Sequence, residues 1–505
     1  LQDNGLWMTP SNSREYRGIL NMHSTWIAEG DGFHTQIDPE DWRTVYTVNH
    51  VGFVARQNIE TREYTFITPT PETISNFSEY VEYDYDETRN RYTIDPGEHW
   101  FFRERPDRPL LPPQFRFNWS SPFIISSNNS KRVFFGSNHL FKSDDRGDNW
   151  KIISPDLTTN DKSLRNTSDG GGLTNSNTGG ENHFTIITIS DTPIDKDVIW
   201  VGTDDGNVQV TIDNGDTWDN VRPNIVGVPQ KTWVSRVEAS KHKKGRAYVS
   251  FDNHRFDDNK PYVFMTDDYG KSWKNITSDL PKDYSVYVIK EDYIDENLLF
   301  VGTEKSVYFT INQGKIWEKL GSNLPSVAIH DLVIHPRDGD LIAGTHGKSI
   351  WILDDISPLR NLNFNSNKII PSRESTKWIK INTGRKQPYF EFRGENPPYG
   401  AIINFYSKTE IKGKITITNS SESNLYKRDI SLNNGLNRYI WPFELDRNSD
   451  ELINYKTKFI NLVDELKDIV IDKKNLKQYD FKNLNSFDEI NKLRKSFLDD
   501  YGMYA

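Results

Sequence analysis

The chain has 505 residues, a formal net charge of −10 and no cysteine. Lack of cysteine excludes thiolate catalysis, Cys-ligated metals and disulfides together, and an acidic balance with no basic stripe argues against nucleic acid as a partner. Aromatics make up 13% of residues and charged ones 27%, enough for a core and a solvated surface.

No apolar run approaches the roughly 20 residues of a membrane-spanning helix, so a direct span is not expected. A cysteine-free chain of this size fits a bacterial source better than a eukaryotic secreted one. The sequence opens at Leu1-Gln2-Asp3-Asn4-Gly5 without Met or a signal-peptide pattern and stops at Tyr504-Ala505. It reads as a piece of a longer protein.

In chain order, the first strands are Gly32-Phe33-His34-Thr35-Gln36-Ile37 and Thr44-Val45-Tyr46-Thr47-Val48, alternating as half-buried strands do. Four copies of one pattern follow: Ser143–Trp150, Thr211–Trp218, Thr266–Trp273 and Thr310–Trp317. Each has a hydroxyl residue, then Asp or Asn two positions on (Asp145, Asp213, Asp268, Asn312). Gly comes four on (Gly147, Gly215, Gly270, Gly314) and Trp seven on (Trp150, Trp218, Trp273, Trp317). These read as hairpin turns in which the acid or amide accepts backbone N–H bonds and Gly takes positive φ. Each Trp is then expected to be buried between neighbouring sheets. These twelve residues are assigned a structural role.

The flanks repeat as well. An apolar strand ends on a small turn at Gly136-Ser137, Gly202-Thr203, Gly302-Thr303 and Gly344-Thr345, with Ser250 holding the place once. The spacings between the tryptophans are 68, 55 and 44 residues; the shortest matches the roughly 40–50 residues of a four-stranded propeller blade, and the longer ones leave room for loops. The last unit, Ile329 to Asp355, shows three strands. Residues 1–25 are expected either to supply its missing strand or to belong to a preceding blade. The fold class predicted is all-β: a β-propeller of about six blades over residues 1–358, then an immunoglobulin-like β-sandwich over 359–446, expected to be incomplete. A helical insertion at the C-terminus covers 447–505. In it, Leu452, Tyr455, Phe459, Leu462, Val463, Leu466, Ile469 and Val470 fall on one helical face, and Ser486-Phe487-Asp488-Glu489 is a capping-box pattern for a second helix.

The four turn motifs are similar to the Asp-box (bacterial neuraminidase) repeats of sialidases, xyloglucanase-type glycosidases and sortilin. Together with Leu1-Gln2-Asp3-Asn4-Gly5, Gly30-Asp31-Gly32-Phe33, Arg116-Phe117-Asn118-Trp119, Trp200-Val201-Gly202-Thr203-Asp204-Asp205-Gly206 and His330-Asp331-Leu332-Val333-Ile334-His335-Pro336, they make the chain resemble bacterial sortilin-like or glycosyl-hydrolase-like repeat proteins. The resemblance runs over roughly residues 1 to 445 and implies a larger tandem propeller protein. It also implies a ligand approach at the axial mouth, where loops feed each innermost strand.

By that position the ligand-binding candidates are Asn118, Trp119, His183, Trp233, Arg236 and His330, with Tyr287 beside them. Carboxylates that could serve a glycosidase are Glu29, Asp31, Glu181 and Asp331, which would have to face one another at about 5–10 Å. The alternative for all of them is a capping or hydrogen-bonding role at strand entries. A sialidase needs three arginines around its substrate, and only Arg116 and Arg236 are placed for it, so that activity is rejected. No metal and no cofactor are expected; the Asp252-Asn253 and Asp257-Asp258-Asn259 loop lacks EF-hand spacing.

The leading expectation is a non-catalytic, extracytoplasmic bacterial propeller that binds a polypeptide or glycan as a subunit of a cell-envelope assembly. The alternative is a glycoside hydrolase acting on a polysaccharide through a carboxylate pair at the mouth.

Overall fold

The computed structural model describes residues 4–80, 85–86, 91–92, 115–161, 163, 183–321, 323–362, 365–381, 393–446, 449–467, 484 and 486–500. Contacts divide the chain into two compact units, Leu1–Pro10 with Met22–Ile356 and Ser11–Asn21 with Ser357–Ala505.

The first unit is a series of antiparallel sheets in which each strand pairs with the next in sequence. Blade 1 comprises Gly32–Ile37, Thr44–Asn49, Val54–Asn58 and Tyr64–Phe66, and blade 2 Phe123–Ser126, Asn129–Gly136, Leu140–Ser143 and Lys151–Ile152. Blade 3 comprises Ile186–Thr192, Asp195–Thr203, Val208–Thr211 and Asp219–Asn220, and blade 4 Trp233–Ala239, Ala247–Asn253, Asp258–Thr266 and Lys274–Asn275. Blade 5 is Val286–Glu291, Leu299–Thr303, Val307–Thr310 and Glu318–Lys319, and blade 6 has three strands, Ile329–Ile334, Leu341–Thr345 and Ile350–Leu353. Residues near the start do not complete blade 6: Leu6–Met8 pairs with Thr25–Ala28.

Second strands such as Leu299-Phe300-Val301 are apolar without alternation because each blade is covered on both faces, and all three of these residues are fully buried. The hydrophobic clusters run between blades accordingly. Tyr46 and Val48 of blade 1 pack with Phe123, Phe135 and Trp150 of blade 2, and Phe134 of blade 2 packs with Ile186 and Val201 of blade 3. The small residue ending a second strand lets the next blade close in. A Cβ on Gly202 would lie 2.5 Å from Val234, and one on Gly302 would lie 2.7 Å from the Ile329 carbonyl.

The four hairpins are nearly superimposable in their bonding. Ser143 Oγ donates to Asp145 Oδ1 (2.7 Å), and the amides of Gly147 and Asn149 donate to Ser143 Oγ and Asp145 Oδ1 (both 2.9 Å). Thr211–Asp213–Gly215–Thr217 repeats this at 2.7, 2.9 and 2.9 Å, and Thr266–Asp268–Gly270–Ser272 at 2.8, 3.0 and 2.9 Å. Asn312 does the same work in blade 5, taking the Ile316 amide at 3.0 Å. Desolvation opposes ionisation of Asp145, but the bonds from Asn149 and Ser143 outweigh it and hold its carboxyl below the usual range.

Each hairpin glycine has positive φ and presses on the preceding blade; a Cβ on Gly215 would lie 2.6 Å from the Ile153 carbonyl oxygen. Trp150, Trp218 and Trp317 donate their indole N–H to the carbonyls of Ile67, Ile153 and Ile276 on that preceding blade, each at 2.8 Å. Trp150 and Trp317 are buried, but Trp218 and Trp273 are only half-buried, less than expected. Trp273 departs further: its N–H returns to Gly270 of its own turn at 3.1 Å, and its ring meets Trp200 edge-on.

The second unit contains a three-stranded antiparallel sheet of Lys368–Ile370, Ala401–Ser407 and Gly435–Trp441, and a pair formed by Ile411–Thr418 and Asn424–Leu432. Among the described residues its hydrophobic cluster packs helix on strand. Leu425 and Leu445 pack with Leu452, Phe459 and Val463 of helix Asp450–Lys467 and with Ile490 and Phe497 of helix Phe487–Asp500. The Glu489 amide donates to Ser486 Oγ at 3.3 Å, capping the second helix. Ile469 and Val470 lie outside the described residues. Among the described residues no helix is long and apolar enough to cross a membrane.

Candidate binding site at the propeller mouth

Innermost strands start at the same end of the ring as the turns joining second to third strands, because Ile186↔Thr203, Trp233↔Asp252, Val286↔Thr303 and Ile329↔Thr345 are cross-strand neighbours. That end is the mouth. Each of these innermost strands slips register near its start, between Ile186 and Thr188, Val234 and Arg236, Val286 and Val288, and Ile329 and Asp331. A bulge there re-aims side chains, and the residues affected include Ser235, Tyr287 and His330.

On the side of blades 4 to 6 the mouth carries a continuous aromatic and imidazole group. Tyr287 stacks on His330 with centroids 4.6 Å apart, His346 lies 5.3 Å beyond, and His254 meets Tyr287 edge-on. The Arg255 guanidinium sits 4.1 Å over the Trp233 ring. Carboxylates here are engaged by neighbours. Asp252 Oδ2 lies 2.6 Å from His254 Nδ1, Glu304 accepts the Tyr287 hydroxyl, and Asp331 Oδ1 pairs with Arg236 Nη2 at 2.9 Å. Burial and the bond to Glu304 push the Tyr287 phenol up.

On the side of blades 1 to 3, Trp119 stacks on His50 at 4.8 Å and Asp31 acts electrostatically on that imidazole. Asn118 Nδ2 donates to Thr185 Oγ1 (2.9 Å). Thr185 in turn gives its amide and hydroxyl to Asp204 Oδ1 and Oδ2 at 2.8 and 2.6 Å. His183 Nε2 lies 3.9 Å from Asp204 Oδ1. Burial pushes the Asp204 carboxyl up to about 7; His183 opposes the shift and Asp205 adds to it.

Residues of three blades interact electrostatically here: His34, Arg236 and Asp331. Burial, reinforced by Arg236 and opposed by Asp331, lowers the His34 imidazole to about 4. Burial also lowers His50 and His330. Among the described residues, two buried nitrogens, Arg236 Nε and His183 Nδ1, have no hydrogen-bond partner.

The structure thus groups His330 with Tyr287, Arg236 with Asp331, Trp119 with His50, and Asn118 with His183 through Thr185 and Asp204. Trp233 joins through Arg255, and Asp31 is buried. Glu29 is exposed on the turn before blade 1, apart from these groups. Glu181 lies outside the described residues. Arg116 is a buried structural anchor, with Nη2 2.8 Å from Asp156 and Nε donating to the Phe184 carbonyl. Sequence reasoning missed His34, His50, Asp204, His254, Glu304 and His346. Several follow directly after the repeated Gly-Thr ending a second strand (Asp204, Glu304, His346), and aligning the repeats at that pair would have found them.

Residues 261–437 match the family model described as Sortilin-Vps10 (sortilin, neurotensin receptor 3). Over that stretch the chain resembles the sortilin family, and its sheets form an Asp-box β-propeller. Among solved structures, the propeller is similar to the Niastella koreensis GH74 enzyme at 15% identity and a TM-score of 0.43, covering 70% of this chain and 53% of that one. An ancestral GH74 enzyme matches at 13% identity and a TM-score of 0.36, covering 64% and 39%. YCF48 from Cyanidioschyzon merolae matches at 9% identity and a TM-score of 0.37, covering 68% and 92%. The chain therefore spans about half of the first enzyme's length and two fifths of the second's. No curated protein matches it.

Proposed function

We propose that this propeller is a non-catalytic binding module that holds an extended polypeptide or glycan across the mouth. The observation that carries the reading is the group formed by Trp233–Arg255 and His254–Tyr287–His330–His346, planar surfaces backed by carboxylates already bonded to neighbours. Stacking surfaces with a few fixed polar groups suit a ligand having both an apolar face and hydrogen-bonding edges. The reading includes a bacterial setting and a place in a cell-envelope assembly, and its extracytoplasmic part draws support from the match of residues 261–437 to the sortilin model.

A glycoside hydrolase is the second reading, favoured by one observation: an acid held protonated near neutrality is what proton donation to a leaving group requires. Asp204 has that property, but its side chain is fully buried and bonded to Thr185. We read it as a structural acid behind His183.

Calorimetric titration with cello- and chitin-oligosaccharides and with a pool of extended peptides tests both readings. Binding of one class is expected, weakened about tenfold or more in Trp233→Ala and in Tyr287→Ala. Equal affinity in both variants contradicts the site. Release of reducing ends that disappears in Asp331→Asn, Glu29→Gln or Asp204→Asn would establish the hydrolase instead.

A further inference from the structure

Five blades of the ring end on a fourth strand, whereas blade 6 ends on its third, Ile350–Leu353, after which the chain turns into the short helix Ser357–Arg360. Among the described residues nothing pairs with the outer edge of Ile350–Leu353. No residue of that strand is buried, and Ile350 is 62% exposed. Third strands elsewhere differ: Val208–Thr211 is buried throughout, and Val307–Thr310 at three of four positions.

A second feature on blade 5 points to the same place. In every Asp-box blade the hairpin before the fourth strand seats on one residue of the preceding blade: Ile67, Ile153, Val221 or Ile276. A Cβ on the incoming glycine would lie 2.6–2.8 Å from that residue in all four cases. All four receiving residues are buried. Three of them accept a Trp indole N–H at their carbonyl. The equivalent residue of blade 5 is Leu320, whose amide bonds to Val307 as that of Val221 bonds to Val208 and that of Ile276 to Val263, each at 2.9 Å. Leu320 alone of the five is half-buried, and no side chain among the described residues donates to its carbonyl.

We infer that blade 6 is completed by strand addition: an extended segment of another polypeptide pairs antiparallel with the outer edge of Ile350–Leu353 and places an aromatic ring against Leu320. The interface continues one already built four times in this chain, and that repetition states the occupant's chemistry. It needs an indole-bearing residue followed directly by a short strand, because those are the groups that fill the equivalent place on blades 2, 3 and 5. Main-chain bonds to an exposed sheet edge supply affinity, and the ring pocket supplies selectivity.

The probe is a fluorescein-labelled peptide copying Thr310–Gly321, the segment that performs this role one blade earlier, titrated with the full chain. Binding in the micromolar range is expected. About a tenfold loss should follow when the peptide's Trp is replaced by Ala, when its strand amides are N-methylated, and when the protein carries Ile350→Lys or Leu320→Arg. Should Leu320→Arg fold poorly by circular dichroism, Ile350→Lys, at an exposed position, still gives the reading. The inference fails if anisotropy is unchanged up to about 1 mM chain, or if folded Ile350→Lys binds as well as the parent. It also fails if sedimentation shows self-association abolished by Ile350→Lys, since the edge would then belong to a second copy.

Discussion

Trp150→Ala should lower the unfolding free energy of the propeller by about 3–5 kcal/mol, the usual cost of deleting a large buried aromatic. Trp150 is 1% exposed, touches Phe135 and Phe141, and donates to the Ile67 carbonyl across the blade boundary. The substitution removes ring burial and strands that acceptor, two separate losses. Trp273→Ala should cost markedly less, because its ring is half-exposed and its N–H satisfies only its own turn. Urea unfolding followed by far-ultraviolet circular dichroism measures both variants. Equal costs would mean that the tryptophans do not latch one blade to the next.

Asp204→Asn should be stabilising in a manner that depends on pH. The carboxyl's folded-state pKa is about 7, against about 4 for an unfolded aspartate. Below pH 4 both states carry the proton and the group leaves stability unaffected by pH. Between about 4 and 7 the unfolded state loses its proton while the folded state keeps it, so stability falls as pH rises. An asparagine keeps an acceptor for the Thr185 amide and offers a donor toward Thr185 Oγ1, without that penalty. The variant should therefore gain on the parent as pH rises from 4 to 7, by on the order of 4 kcal/mol at full effect, a shift of about 3 units at 1.36 kcal/mol each. Parallel urea titrations at pH 4, 5.5 and 7 give the comparison. A difference that stays constant with pH would show that Asp204 is ionised in the folded state.

What was legible in the sequence and what was not follow from the range of the interactions. The Asp-box turn is closed by side chains two and four positions apart, Ser143 to Asp145 and Asp145 to Asn149, so four copies could be read directly. The small residue closing each second strand was equally visible, although its reason was not. Gly202 is small because Val234 of the next blade lies against it. The mouth depends on pairs far apart in the chain, such as Arg236 with Asp331, 95 positions away, and Thr185 with Asp204, 19 away. Entry points of the innermost strands gave Arg236, His330 and Trp233 by position. They could not give Asp204, His254 or His346, which arrive on the facing second-to-third-strand turns. The tail shows a different limit. Its helical periodicity identified Leu452, Phe459 and Val463 as a packing face, but not that the face shares a core with Leu425 of a strand.

The central claim is that innermost strands distant in sequence converge on one mouth, and the absence of cysteine makes this directly measurable. In the double variant Arg236→Cys/Asp331→Cys, the two introduced thiols are the only ones in the chain. They replace a pair joined at 2.9 Å between blade 4 and blade 6. A short bifunctional thiol reagent should cross-link them within the monomer, producing a faster-migrating band that neither single variant gives. Both thiols reacting singly with no intramolecular cross-link in the folded monomer would contradict the mouth.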